Sequence, residues 1–271
     1  VFTSEELAAV VDLPAGEWLT LPQLQTHLGR ITEHYRKAGY PLASAHIPAQ
    51  VLQDGLVVVH VSEPRWAHLV LSNQSHMADH VILRTAKQIR PGSLVQDKDM
   101  ESAAVYLPGT DITSELRAGD SLDTTDMVIN ASPSNAVSSM LTIDNFGSRY
   151  TGRDRATAYI AFSNPFRSGD VFSVNMLSSG ELLNYQQLGY EIPVLSPGVS
   201  VGLTATHMQY RLGNGAESLM AHGHLKQTSH WFQYPWIATA VTRLDTRMQY
   251  EVSEMSDHQD STDSKNDRHL H

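Results

Sequence analysis

The sequence predicts two small α+β units of β-α-α-β-β order, followed by antiparallel transmembrane β-barrel strands, with the barrel incomplete in this chain. Three observations carry that prediction. From Ala136 to Gly223 the chain runs in segments of about 9–11 residues with alternating apolar and polar positions, divided by Asn, Gly and Pro. Ahead of this stretch a helix-helix-strand-strand order occurs twice, an internal repeat. No run approaches the ~18 apolar residues of a membrane helix, so any spanning falls to strands.

The first unit is expected over residues 1–64. Leu7, Val10 and Val11 give Ser4–Val11 a helical spacing. Thr20-Leu21-Pro22-Gln23 then supplies a capping box, with Pro in the first turn where its missing N–H costs nothing. Leu24, Leu28, Ile31 and Tyr35 form one stripe of the second helix, which Gly39 ends. Strands follow at Leu42–Ile47 and Leu56–Val61, joined by a turn at Asp54-Gly55. The leading strand of this unit is expected to lie ahead of Val1.

The second unit, residues 65–132, carries its first strand. Ala67, Leu69 and Leu71 alternate with His68 and Val70. Val81, Ile82, Thr85 and Ile89 predict a short helix closed by Pro91-Gly92. Asp97 caps another that carries Met100, Ala103, Ala104 and Leu107 and stops at Pro108-Gly109. Strands at Ile112–Leu116 and Met127–Asn130 complete it, and Ser132-Pro133-Ser134-Asn135 is the expected hinge.

The third region, 136–271, predicts seven to eight strands, near 136–145, 154–164, 170–179, 185–192, 199–211, 216–227 and 236–252. Short turns at Asn164–Gly169 and Leu195–Gly198 alternate with polar connections at Ser178–Asn184 and Gly213–Glu217, as in an outer-membrane barrel. In Tyr185–Ile192 the residues Tyr185, Gln187 and Glu191 share one face. In Ala238–Val252 the even positions are mostly apolar, whereas the odd ones include Arg243, Asp245, Arg247, Gln249 and Glu251. Lipid on one side and water on the other requires that pattern. A soluble sandwich strand with one solvated face has the same period, so periodicity leaves both architectures open. The tail Ser256–His271 is polar and acidic.

Composition narrows the function classes. The formal charge is −10 with no Lys/Arg cluster, which gives no support to nucleic acid as a partner. No cysteine is present, so disulfides, zinc–thiolate sites and thiol nucleophiles are excluded. No targeting segment opens the sequence at Val1-Phe2-Thr3. His222 with His224 and His269 with His271 form H-x-H pairs, but among 14 histidines such pairs arise by chance, and no third ligand stands at metal spacing. Asp257, Asp260, Asp263 and Asp267 lack the turn Gly and closing Glu of a calcium loop, and read as a solvated acidic loop. Ser178-Ser179-Gly180-Glu181 is a loop rather than a nucleophile elbow. Neither a cofactor nor an enzymatic reaction is expected.

Short motifs add a resemblance. Tyr35–Pro41, Ile47-Pro48-Ala49-Gln50, Asp54-Gly55 and Val59–Glu63 closely resemble the first POTRA domain of two-partner secretion transporters, the haemolysin secretion/activation proteins. Glu63-Pro64 stands where Glu-Gly is usual. Asp144-Asn145-Phe146-Gly147-Ser148, Thr151-Gly152 and Arg155 are similar to the family's entry into its barrel. Asn164-Pro165, Gly169-Asp170, Tyr190–Pro193 and Tyr234-Pro235 fit its next turns and strands. The α+β units are thereby identified as POTRA domains. The resemblance implies a sixteen-stranded barrel, two periplasmic POTRA domains and a plug helix, so this chain is expected to be a fragment whose last residues, Ser264–His269, open a further strand.

The same resemblance implies the bacterial outer membrane as location. It also implies membrane lipid and a secreted TpsA-type protein (haemolysin, adhesin or contact-dependent toxin) as partners, with a monomeric transporter. A POTRA strand edge and its adjoining helix make a groove for an extended peptide. Here that groove falls at Leu28, Tyr35, Tyr40, Leu42, Ala43, Ala45 and Ile47, although Leu24, Leu28, Ile31 and Tyr35 read first as core. Tyr185, Gln187, Glu191 and the odd positions of 243–251 are expected to line the pore. Two other readings remain at this level: a barrel-assembly factor of the same superfamily, and a soluble peptide-binding β-protein.

Overall fold

The computed structural model describes residues 1–13, 18–51, 56–103, 107–195, 198–238 and 242–270. The expected turn at Asp54-Gly55, part of the turn at Leu195–Gly198, Ala104, Ala240 and His271 lie outside them. The chain forms two compact units: Val1–Ser72 with Ala86–Ala104 and Thr113–Asn130, and Asn73–Thr85 with Val105–Ile112 and Ala131–His271.

In the first unit, α1 (Ser4–Val11) and α2 (Leu21–Lys37) precede β1 (Ser44–His46) and β2 (His60–Ser62). Gln23 Oε1 accepts the Thr20 backbone N–H at 2.8 Å, as the capping box predicts. At the other end of α2, Tyr40 N–H donates to Tyr35 O and Gly39 N–H to Arg36 O, a Schellman closure with Gly39 at φ 85°. The stripe turns inward: Leu28, Ile31 and Tyr35 are buried with Leu7, Val11 and Ala43. Both strands are shorter than the alternation predicts, three residues each, paired antiparallel with Ala45 opposite Val61.

The second α+β module contributes β3 (Arg65–Asn73), α3 (Asp79–Thr85), α4 (Asp97–Ala103), β4 (Thr110–Ala118) and β5 (Thr124–Pro133), with sheet order β3-β5-β4. The buried Trp66 indole donates to Asp99 Oδ2 at 2.9 Å, satisfying both polar groups inside the first unit.

Eight strands then run antiparallel in chain order. They are β6 (Val137–Asp144), β7 (Arg155–Ser163), β8 (Val171–Ser178), β9 (Leu183–Pro193), β10 (Ser200–Arg211), β11 (Ala221–Ala238), β12 (Arg243–Gln259) and β13 (Ser264–Leu270). Two expectations need correction here. The strand breaks near 227 and 236 do not exist: β11 continues through Pro235 for 18 residues. A register shift between Pro235 and Ile237 leaves Trp236 as the extra residue, and a bulge is where a strand tolerates a residue without an N–H. The acidic tail is also no loop. Asp257 lies in β12 and Asp267 in β13, joined by a 3-10 turn at Asp260–Thr262. Backbone pairing holds this hairpin, and a ribbon solvated on both faces needs no apolar alternation.

Candidate functional site

The register fixes what each face of the eight-stranded wall presents. One lateral row runs Val137, Phe162, Phe172, Tyr190, Leu203, His230 and Tyr250. Its neighbours on that face include Leu141, Ile143, Leu188, Phe232, Leu244 and Met248. These side chains are not packed under anything: Leu141 is 72% exposed, Met248 68% and Leu188 50%. A contiguous exposed apolar face of this extent is untenable in water and matches a lipid contact. Aromatic residues concentrate at one end of it. Phe162 and Phe172 stand 6.2 Å apart and Tyr234 and Trp236 5.0 Å, the girdle of a membrane interface.

The opposite face is polar. Its corresponding row runs Val171, Glu191, Gly202, Trp231 and Gln249. Gln187 Nε2 donates to Thr206 Oγ1 at 3.1 Å. Glu251 accepts from Ser229 Oγ and Gln249 Nε2, each at 3.3 Å, and Arg243 Nε donates to Asp245 Oδ2 at 2.7 Å. Arg247 lies over the Trp231 ring with 4.1 Å from guanidinium carbon to centroid. The wall therefore brings Gln187, Glu191, Arg243, Asp245, Arg247, Gln249 and Glu251 to one face. Tyr185 joins them, but in a less polar row with Leu177, Met208, Leu225 and Met255. Trp231 and Gly202, which sequence reasoning missed, belong to the same face. Carrying the alternation of 243–252 back through Pro235 instead of breaking there would have found Trp231.

The turn between β7 and β8 is built around a fully buried carboxylate. Asp170 accepts the N–H groups of Phe166 and Ser168 and the Tyr190 hydroxyl, the last at 3.0 Å. Asn164, at φ 61°, accepts the Gly169 N–H at 2.9 Å. This knot holds residues of the second α+β module: Ala78 N–H donates to Arg167 O, and Arg167 Nε to His76 O. At the next turn Arg84 reaches Pro193 O. Gly109, at φ 70°, is a position where a side chain would be strained, and its Cβ would crowd Ser163 Cβ at 3.1 Å.

The first α+β module places its predicted groove residues unevenly. Leu28, Tyr35 and Ala43 are buried core, and the Tyr35 hydroxyl donates to Glu63 Oε1 at 2.5 Å. Tyr40, Ala45 and Ile47 are partly buried against that core, and Leu42 is half-buried. The Ala45 N–H is not idle: Thr32 Oγ1 on α2 accepts it at 3.2 Å. His222 and His224 share a face, and His222 stacks on His258 at 5.3 Å. Among the described residues no group of three His, Asp or Glu is placed to hold a metal.

A POTRA-type module leading into a strand wall with one lipid-compatible and one polar face defines a POTRA-plus-barrel protein of the outer membrane. Residues 1–63 match the ShlB-type POTRA domain, and residues 123–253 match the haemolysin secretion/activation protein ShlB/FhaC/HecB. Over those two stretches the chain is thus similar to the haemolysin secretion/activation proteins, in the same order along the sequence. It is 25% identical, over 272 aligned positions, to the heme/hemopexin transporter protein HuxB of Haemophilus influenzae strain 86-028NP, with 98% of this chain and 48% of the relative covered. The chain thus spans about half the length of the curated relatives it matches. Among solved structures, CdiB from Escherichia coli superposes with a TM-score of 0.74 at 17% identity, over 99% of this chain and 52% of that one. BamA from Haemophilus ducreyi lacking POTRA domains 1–3 gives 0.58 at 15% identity, covering 92% of this chain and 48% of that one. At these identities the two structures speak for the fold.

Proposed function

We propose that the complete protein is the outer-membrane transporter of a two-partner secretion system. Its POTRA domains, residues 1–64 and 65–132, receive an unfolded secreted protein in the periplasm, and the barrel begun at 136 conducts it outward without nucleotide. The observation that carries this reading is the two-faced wall. Exposed Leu141, Leu188 and Met248 face one way, and Arg243, Asp245, Arg247 and Glu251 the other, in a chain whose first 63 residues match the ShlB-type POTRA domain. Arg and carboxylate side chains in that number are costly in lipid and need water, so the polar face lines an aqueous pore. Tyr185, Gln187 and Glu191 line it from β9.

The groove for the secreted chain lies along β1, with Tyr40, Leu42, Ala45 and Ile47 as its accessible members and Leu28, Tyr35 and Ala43 as the floor beneath. Such a transporter works as a monomer in lipid, has no enzymatic reaction and needs no cofactor. Expression of the complete protein with a candidate secreted partner, a large exported protein sought among its gene neighbours, tests this. The partner should reach the cell surface only when the transporter is present, with other barrels at normal levels. Surface delivery without it overturns the proposal, and general loss of barrels on depletion points to an assembly factor instead.

A further inference from the structure

Beyond the apolar band, β10 and β11 carry a cationic patch on the same outward face. The register sets His207 opposite Lys226, Gln209 opposite His224 and Arg211 opposite His222. These rows lie immediately past the one in which Ala205 meets Thr228, so they begin where the lipid-facing Leu203, Phe232 and Tyr250 give out. The two strands present no carboxylate on this stretch of the face. Arg211 and Lys226 are exposed, and neither has an ion-pair partner among the described residues. Lys226 stands opposite Glu254 of β12 without pairing to it, and His222 Nδ1 is 3.8 Å from Asp260 Oδ2.

Side chains two apart on a strand face stand about 7 Å apart, and directly opposite ones about 5 Å. The patch is thus a small lattice of N–H donors at one level of the wall. That level is the end remote from the turns at 164–170 and 194–199 that hold the POTRA-side residues, hence the outer leaflet. We propose that this lattice binds the phosphate groups of a phosphorylated glycolipid of the outer leaflet, with Arg211 and Lys226 as the charged ligands. Charge complementarity and continuity with the apolar band argue for a lipid as the source. A phosphate held there has its acyl chains directly over Leu203, Phe232 and Met248. The inference rests on the barrel reading above, because it needs that face to meet lipid.

The test uses the complete protein folded in phosphate-free, uncharged detergent. It is titrated with rough lipopolysaccharide, with the same glycolipid stripped of phosphate, and with inorganic phosphate, and bound glycolipid is counted by native mass spectrometry. The phosphorylated form should bind at least tenfold more tightly than the stripped form. The double variant Arg211→Gln, Lys226→Gln should lose at least tenfold in affinity, and the control pair Lys87→Gln, Lys98→Gln should lose none. Equal binding of the two glycolipids, unchanged binding by the Arg211/Lys226 variant, or displacement by equimolar inorganic phosphate overturns the proposal. Heat-modifiable gel mobility separates the failures. Wild-type protein without it contradicts the barrel itself, whereas intact mobility with no phosphate selectivity contradicts only the lipid site.

Discussion

Trp231 lies flat against Gly202 across the β10–β11 pair, so close that a Cβ built on Gly202 would stand 2.2 Å from the indole ring. Arg247 also stands over the ring, its guanidinium carbon 4.1 Å from the centroid. Gly202 is therefore the seat of a stacked pair on the polar face, and its lack of a side chain is a packing requirement. Gly202→Ala should lower the stability of the folded wall by about 1–3 kcal/mol through overpacking. The midpoint of heat-modifiable gel mobility reads this. Thr204→Ala on the same face is the comparison, and an equal or smaller effect at 202 would contradict the seating.

The facing assignment makes a graded prediction. The apolar positions of β12 run from Leu244 to Val252, which puts Met248 in the middle and Leu244 at the interface end. Met248→Arg should cost about 2–4 kcal/mol and Leu244→Arg only ~1 kcal/mol. Gln249→Arg, one residue away but on the polar face, should be tolerated. Folding yields into bilayers of defined thickness compare the three, and equal tolerance at 248 and 249 would refute the assignment.

Removing the buried carboxylate of the β7–β8 turn should loosen the attachment of residues 76–78. Asp170→Ala leaves the Phe166 and Ser168 N–H groups and the Tyr190 hydroxyl without their acceptor. A loss of about 2–3 kcal/mol is expected, with Tyr190→Phe costing nearer 1 kcal/mol. Hydrogen exchange at Ala78, whose N–H is held by Arg167 O, should quicken in Asp170→Ala. Unchanged protection at Ala78 would show that the knot does not hold that segment.

Tyr35 gives the POTRA core an alkaline limit. Burial first, then the hydrogen bond to Glu63 and its charge, push the phenol up to about 12 from an ordinary value near 10. A raised folded value means that the folded state holds this proton more tightly. Its contribution is complete below pH 10 and is lost as the pH rises from 10 through about 12. Thermal melts of wild type should fall over that window, and Tyr35→Phe should flatten the fall. Identical slopes would mean that Tyr35 does not set this limit.

For the groove, Ala45→Pro deletes the N–H now accepted by Thr32. Secretion of the partner should drop while barrel mobility stays normal. Thr32→Val, which uncovers the same donor, should leave secretion intact. Full secretion by a folded Ala45→Pro protein would remove β1 as the docking strand.

Much of this was legible because local rules and tertiary needs agree. Thr20, Gln23, Gly39 and the Leu28/Ile31/Tyr35 stripe each state a helix boundary or a buried face that packing then uses. The alternation of 185–192 and 243–252 likewise states two faces. Illegible were features whose cause is a distant partner. Pro235 reads as a break until a facing strand absorbs it as a bulge. Asp257–Asp263 reads as a loop because hairpin pairing leaves no mark on side-chain polarity, whereas Ser264–His269, expected to open a strand, lies in β13. Trp231 and Gly202 define each other only once β10 and β11 are in register. Tyr35 reads first as core and Ala43 as groove, and both are buried.

The β12–β13 hairpin continues past Val252, the last apolar position of the lipid-side face, to Gln259, roughly 20 Å of paired ribbon at ~3.4 Å per residue. A chain segment this acidic and polar invites a protease or an antibody raised against linear peptide. Yet its scissile bonds are held extended in a ladder. On intact cells the hairpin should resist cleavage that its denatured sequence permits, and should be recognised by sera against the folded protein and ignored by sera against the peptide.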